Sequence, residues 1–136
     1  MENTRSKIVG ILQGAGLRLT DQRLLLGQLL FAGHDRHVTA EELHDEADEI
    51  GSSIALATVY NTLKLFTAAG LVREVAISGP KAYFDTNTDN HCHFYIAEES
   101  RLVDATFDSS IVKVPSAPKN TRISQVDIVI HLERKG

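Results

Sequence analysis

Residues 39–85 read TAEELHDEADEIGSSIALATVYNTLKLFTAAGLVREVAISGPKAYFD, and the single change of hydrophobic period within them decides the fold. Thr39-Ala40-Glu41-Glu42 is a capping box: the Thr39 hydroxyl can accept from the amide of Glu42, whose carboxylate reaches back to the amide of Thr39. Ala40, Leu43, Ala47 and Ile50 follow at helical spacing. Gly51-Ser52-Ser53 interrupts the pattern, and a second helix carries Leu56, Val59, Leu63 and Phe66 on one face as far as Gly70, a natural C-terminal cap. Then the pattern turns β-prone. Leu71 to Ile77 and Lys81 to Asp85 flank the turn cluster Ser78-Gly79-Pro80, which predicts a hairpin. Two helices joined by a short turn and followed at once by a hairpin are the plan of a winged helix-turn-helix, the second helix reading DNA and the hairpin serving as the wing.

Working outward, Thr4 is positioned to cap a first helix with Ile8, Ile11 and Leu12 on one face, stopped by Gly14-Ala15-Gly16. Thr20 opens a helix rich in leucine from Leu24 to Leu30 that ends near Gly33. On the other side, His91 to Ile96 is β-prone, Glu98-Glu99-Ser100 is a turn and Leu102-Val103 a short return strand. Pro115-Ser116-Ala117-Pro118 reads as a loop, and Val126, Ile128, Ile130 and Leu132 alternate as a strand. A module of about 50 residues with one-sided strands buries little core by itself, so a second copy sharing its sheet is expected. The fold class is therefore α+β: residues 1–84 form a winged-helix DNA-binding domain, and residues 85–136 a small α/β domain for dimerisation and metal sensing.

Composition removes several classes. No apolar run approaches the ~20 residues of a spanning helix, and residues 1–20 lack the apolar core of a secretory signal. The one cysteine, Cys92, cannot close an internal disulfide, so a cytoplasmic, membrane-free protein is expected. A net charge of −4 gives no support to a polycationic nucleic-acid binder, so a DNA-binding reading has to rest on local geometry.

That geometry lies in residues 57–64. With Leu56, Val59, Leu63 and Phe66 facing the core, Thr58, Tyr60, Asn61 and Lys64 lie toward the opposite side. Asn can bond adenine bidentately in the major groove, and Thr and Tyr can reach phosphates or a thymine methyl. An ordinary polar helix face has the same composition; the hairpin placed directly after the helix favours groove reading. Arg18, in the turn before Thr20, is a candidate for a minor-groove or phosphate contact.

A second constellation is His91-Cys92-His93. Residues two apart on a strand share a face, so both imidazoles can converge on one ion while Cys92 points away. Asp85 and Asp89 precede them, Asp104 follows on the return strand, and His37 stands just before the capping box. Imidazole and carboxylate together suit Fe, Mn or Zn as a divalent ion, and the lack of a cysteine pair argues against a thiolate zinc site. Alone, His-X-His is as readily a polar surface, and Cys92 as readily a small buried hydrophobe. His34 and His44 carry no role, and His131 falls on the outer face of the last strand.

These residues carry a resemblance. Gly16-Leu17-Arg18-Leu19-Thr20 with Gln22-Arg23, His37-Val38-Thr39-Ala40-Glu41-Glu42-Leu43, Ala57-Thr58-Val59-Tyr60-Asn61-Thr62-Leu63, Tyr83-Phe84-Asp85 and His91-Cys92-His93-Phe94 together resemble the ferric uptake regulator family over nearly the whole chain. The nearest branch is that of the iron response regulator (Irr) proteins, which typically carry three consecutive histidines and an aromatic; here Cys92 is the middle one. The resemblance implies a homodimeric metal- or haem-responsive regulator of iron homeostasis that binds a palindromic double-stranded operator. It also implies one interdomain metal site per subunit on His37, Asp85, His91, His93 and Asp104, the two aspartates standing where many relatives have glutamate.

The departures are as informative. Ile96 and Glu99 occupy the positions of the family's Cys-X-X-Cys, so its four-cysteine structural zinc site is expected to be absent. Asn90, Cys92, Ile111 and Val126 fall where a further metal site would have its ligands, and residues 111–121, with two prolines, are too broken for the usual dimer-domain helix. The Cys-Pro haem dipeptide is missing, which leaves His91, Cys92 and His93 as the place for haem if haem binds. Peroxide- and manganese-sensing regulators of the same family remain open alternatives. A small His/Asp metal-dependent enzyme is the alternative from another class, disfavoured by the lack of a nucleophile–base pair or a glycine-rich phosphate loop.

Overall fold

The computed structural model describes residues 2–77, 81–89, 91–105 and 113–136, and divides the chain into two compact units, 1–88 and 89–136. Among the described residues no helix is long and apolar enough to cross a membrane.

The first unit runs α1 (Glu2–Gly14), α2 (Asp21–Phe31), β1 (His37–Val38), α3 (Ala40–Glu49), α4 (Leu56–Ala68), β2 (Arg73–Ala76) and β3 (Ala82–Asp85). Thr20 caps α2 by accepting from the amide of Arg23, and both halves of the Thr39–Glu42 capping box form on α3. Thr4 does not cap α1. The helix begins before it, at Glu2, so Thr4 lies inside the first turn rather than at the cap. At the end of α4, Gly70 adopts φ +79° and lets the amides of Gly70 and Leu71 turn back onto the carbonyls of Thr67 and Phe66, which aims the chain into β2.

The core joins Ile8 and Leu12 of α1, Leu26 and Leu30 of α2, Leu43 of α3, Val59, Leu63 and Phe66 of α4, and Val38 and Phe84 from the strands. Fully burying one such side chain contributes about 1.5–3 kcal/mol, so this cluster fixes the angle at which α3 presents α4. Two expected core residues are outside it. Ile50 is 58% exposed, because α3 has already ended and the residue sits at ψ 14°, out of helical phase. Leu56 is 39% exposed; the buried anchor is Ile54, ahead of the N-cap Ala55 and in the same cluster as Val59 one turn in, the arrangement of a hydrophobic staple.

β2 and β3 form the expected antiparallel hairpin, Ala76 opposite Ala82; its turn, residues 78–80, lies outside the described residues. β1 adds to the other edge of β3, giving the order β1-β3-β2. The unit continues to Thr88, beyond the boundary read at Phe84. Asp85 is paired on both sides, with His37 and Arg73, and the amide of Thr86 donates to the carbonyl of Arg36 at 2.9 Å.

The second unit holds β4 (Cys92–Ile96), a short 3-10 turn (Ala97–Glu99), β5 (Arg101–Ala105) and β6 (Val129–Leu132) in the order β5-β4-β6, with β4 antiparallel to β5 and parallel to β6. β6 begins at Val129, three residues after the start of the alternating run, so Val126 and Ile128 lie outside it; Leu132 is 39% exposed rather than core. Val114 and Ile123 are exposed as well. Residues 113–121 contain no helix; Asn90 and Ile111 lie outside the described residues.

Candidate metal and nucleic-acid sites

In the second unit, β4 is the central strand and β5 lays Asp104 directly across from His93. The Nε2 atoms of His91 and His93 each lie 3.4 Å from the same Asp104 oxygen, and the two rings are 4.4 Å apart. His93 is buried, and Asp104 is half-exposed. His91 turns its Nδ1 onto the carbonyl oxygen of Asp89 at 2.6 Å, which leaves Nε2 as the atom facing Asp104. Fixing one ring nitrogen on a backbone carbonyl is how proteins orient a metal-binding imidazole. Asp89 thus takes part through its backbone. Two imidazole nitrogens and a carboxylate oxygen converging on one point form a donor set that fits a divalent transition metal.

In the first unit, His37 and Asp85 are cross-strand partners on β1 and β3. Asp85 is 1% exposed and accepts from the amide of Asn87 at 2.9 Å; Arg73, also buried, stands across from it on β2. A buried carboxylate needs such company, since an uncompensated charge in the interior is costly. The His37 ring lies edge-on to Tyr83 at 6.2 Å. Of the five residues singled out from the sequence, His37 and Asp85 belong to the first unit and His91, His93 and Asp104 to the second.

Cys92 does not join either group. It is completely buried, and as the neighbour of His93 on one strand it projects to the opposite face. We expect Cys92→Ala to cost about 1 kcal/mol of stability for the lost contacts while metal stoichiometry stays unchanged. Loss of the metal in that variant, measured by elemental analysis, would mean the strand register is wrong.

On α4, Asn61 and Lys64 are exposed and Thr58 and Tyr60 half-buried. Tyr60 meets Phe84 edge-on at 6.3 Å. Lys64 pairs with Glu74 of β2 at 2.7 Å and lies 5.9 Å from the centre of the Phe84 ring. These two brace the helix on the hairpin. Thr58 and Asn61 instead line a polar recess of about 260 Å³ with Thr20, Gln22 and Arg23 of the α2 start, and with Thr62 and Leu65. Arg18 is exposed, and its carbonyl accepts from the Arg23 guanidinium at 2.8 Å. In the sequence, Gln22 and Arg23 figure only within the family resemblance, with no role at this face; they stand in the first turn of α2, just after its N-cap Thr20. Asn61→Ala should lose about 1–3 kcal/mol at one base position and relax specificity there. Arg18→Ala should weaken all sequences alike and lower the salt slope. Competition binding with operator variants separates the two; equal losses on specific and random duplexes for Asn61→Ala would remove it from base readout.

The profile of the Ferric uptake regulator family matches residues 14–131. The peroxide-responsive repressor PerR of Staphylococcus aureus (strain Mu50) is 32% identical over 104 residues, 76% of this chain and 70% of that protein. Among solved structures, the ferric uptake regulator of Pseudomonas aeruginosa with manganese is 26% identical with a TM-score of 0.69, covering 93% of this chain and 97% of that one. The ferric uptake regulator of Vibrio cholerae is 27% identical with a TM-score of 0.73, covering 91% and 97%.

Proposed function

Because this chain belongs to the ferric uptake regulator family, whose members are metal-responsive transcription regulators that bind operator DNA as dimers and are not enzymes, we propose that it is a cytoplasmic regulator of iron homeostasis. Its affinity for a palindromic operator is set by one divalent ion per subunit, held by His37, Asp85, His91, His93 and Asp104. The observation that carries this reading is the convergence of His91 and His93 on one oxygen of Asp104. His37 and Asp85 complete the set; Asp85 and His91 are six residues apart, within about 20 Å of chain. The ion supplies a fixed positive centre when bound, and the chain's own residues orient the imidazoles and place the carboxylates.

The first unit, residues 1–88, carries DNA binding through Arg18, Thr58, Tyr60, Asn61 and Lys64, and the second, residues 89–136, carries dimerisation and, with His37 and Asp85 of the first, metal sensing. The exposed apolar residues Val114, Ile123, Val126 and Leu132 of the second unit give a second copy something to cover. A small ion suits the site better than haem, because Cys92 is buried behind the strand face that bears His93. The iron response regulator branch is supported by His91-Cys92-His93-Phe94. The likeness to PerR supports a second reading, peroxide sensing at the same ligands.

The test is a titration of metal-free protein with Fe(II), Mn(II) and Zn(II), with and without a duplex selected on the loaded protein from a random-sequence pool. Linkage requires metal and duplex to change each other's affinity by one common factor, about 5–150-fold. A factor of one for all three metals overturns the metal-regulator reading. Peroxide that abolishes duplex binding of the Fe(II) form but spares the Mn(II) form selects the second reading.

A further inference from the structure

Arg36 immediately precedes His37 and is absorbed by neither the metal set nor the DNA face. Its backbone is tied to the strand that carries Asp85: its amide donates to the Thr86 hydroxyl at 2.9 Å, and its carbonyl accepts from the Thr86 amide at 2.9 Å. Its guanidinium leaves in the other direction. Nη1 donates to the carbonyl of Leu29 in the last turn of α2 at 3.1 Å, and the two terminal nitrogens fork onto the two carboxylate oxygens of Glu46 on α3, at 2.9 and 2.5 Å. Arg36 and Glu46 are each about two-thirds buried, and the hydrogen bond to Glu46 raises the guanidinium's pKa above its ordinary value. A planar fork of this kind fixes orientation as well as distance, which a lysine in the same place would not.

Going forward from His37, the chain passes Val38 and reaches Thr39, the N-cap of α3, held by its capping box. α3 is therefore attached to the His37 strand at two points, its capped start and Glu46. Seven residues at 1.5 Å each separate them, about 10 Å along the helix. A helix held at two such points follows the strand as a body and cannot pivot about either one. α3 in turn packs on α4 through Leu43, Val59 and Leu63 of the shared core.

We propose that the Arg36–Glu46 fork is the link that passes metal occupancy at His37 to the helix-turn-helix, Arg36 acting as a positioning residue that itself touches neither metal nor DNA. The proposal rests on the metal-regulator reading above and adds the route by which the metal acts.

The experiment compares wild-type protein with Arg36→Met, Glu46→Gln, the double variant and Arg36→Lys. For each, the Mn(II) dissociation constant is measured by calorimetry, and the affinity for the selected duplex is measured with Mn(II) and with chelator. Thermal unfolding of the metal-free form and hydrogen exchange of the α3 amides with and without Mn(II) are recorded beside them. The expected result is that Mn(II) affinity and metal-free duplex affinity stay within about threefold of wild type, while the coupling factor falls from about 5–150-fold to near unity. The double variant should be no worse than either single, since all three break one link, and Arg36→Lys should lose coupling while keeping the charge. Mn(II) should slow α3 exchange in wild type only. Wild-type coupling retained in Arg36→Met, Glu46→Gln or Arg36→Lys overturns the proposal. A wild type with no Mn(II) effect on duplex affinity fails at the earlier step and overturns the metal-regulator reading instead.

Discussion

His93→Ala is expected to weaken divalent-metal binding by at least about 100-fold and to erase the metal dependence of operator binding with it. Removing a partner that merely orients a ligand typically costs 10–100-fold in affinity, so removing a ligand held as firmly as this one costs no less. His93 lies on the central strand of its sheet, in register with Asp104 on one side and Val129 on the other, and only 3% of its side chain is exposed. Its ring therefore cannot be replaced by a neighbour swinging in. Asp104 is 53% exposed, so water can take over part of its role, and Asp104→Ala should cost less than His93→Ala. Calorimetry with Mn(II) on both variants gives the comparison, and His93→Gln, which keeps most of the volume, separates metal loss from a collapsed strand. A His93→Ala protein that binds one Mn(II) per subunit with wild-type affinity would remove His93 from the ligand set.

The features written in local spacing were legible before any coordinates. The capping box of Thr39 and Glu42, the hairpin pairing and the shared face of His91 and His93 each depend on residues a few positions apart. What escaped depends on distance or on where an element stops. β1 is two residues long, too short to show a period, yet it is what pairs His37 with Asp85. Ile50 and Leu56 fit the helical spacing, but one falls past the end of α3 and the other in a first turn whose anchor, Ile54, precedes the helix. The alternation from Val126 to Leu132 promises a longer strand than β6, which is an edge with β4 as its only neighbour among the described strands. The Arg36–Glu46 fork spans ten residues across a strand and a helix cap, so no single period covers the separation. Arg73 reads in the sequence as one more charged residue of a wing strand; only the register opposite Asp85 shows why it is buried.

His37→Ala should weaken metal binding by about tenfold and abolish most of the coupling between metal and DNA. On the proposed ligand set, Asp85, His91, His93 and Asp104 belong to β3 and the second unit, and they can hold an ion without His37. Four donors suffice for Zn(II) and leave room for water at Mn(II) or Fe(II), which accounts for a loss smaller than that of His93→Ala. Of the four, only Asp85 reaches β1, and only through the backbone pairing of β3; none of them stands on the strand that runs directly into the cap of α3. A palindromic operator demands one spacing between the two recognition helices of a dimer, about one helical turn or a multiple of it between half-sites. On the proposed ligand set the bond to His37 is the ion's direct tie to the strand that leads into α3, and its loss is expected to loosen that spacing. The coupling of about 1–3 kcal/mol expected for wild type should therefore shrink toward zero, with the metal-free duplex affinity unchanged. Metal titrations of the two proteins with and without the selected duplex read this directly. A His37→Ala protein whose duplex affinity still rises or falls with metal by the wild-type factor would show that the ion acts on the winged helix through Asp85 of β3 and not through His37.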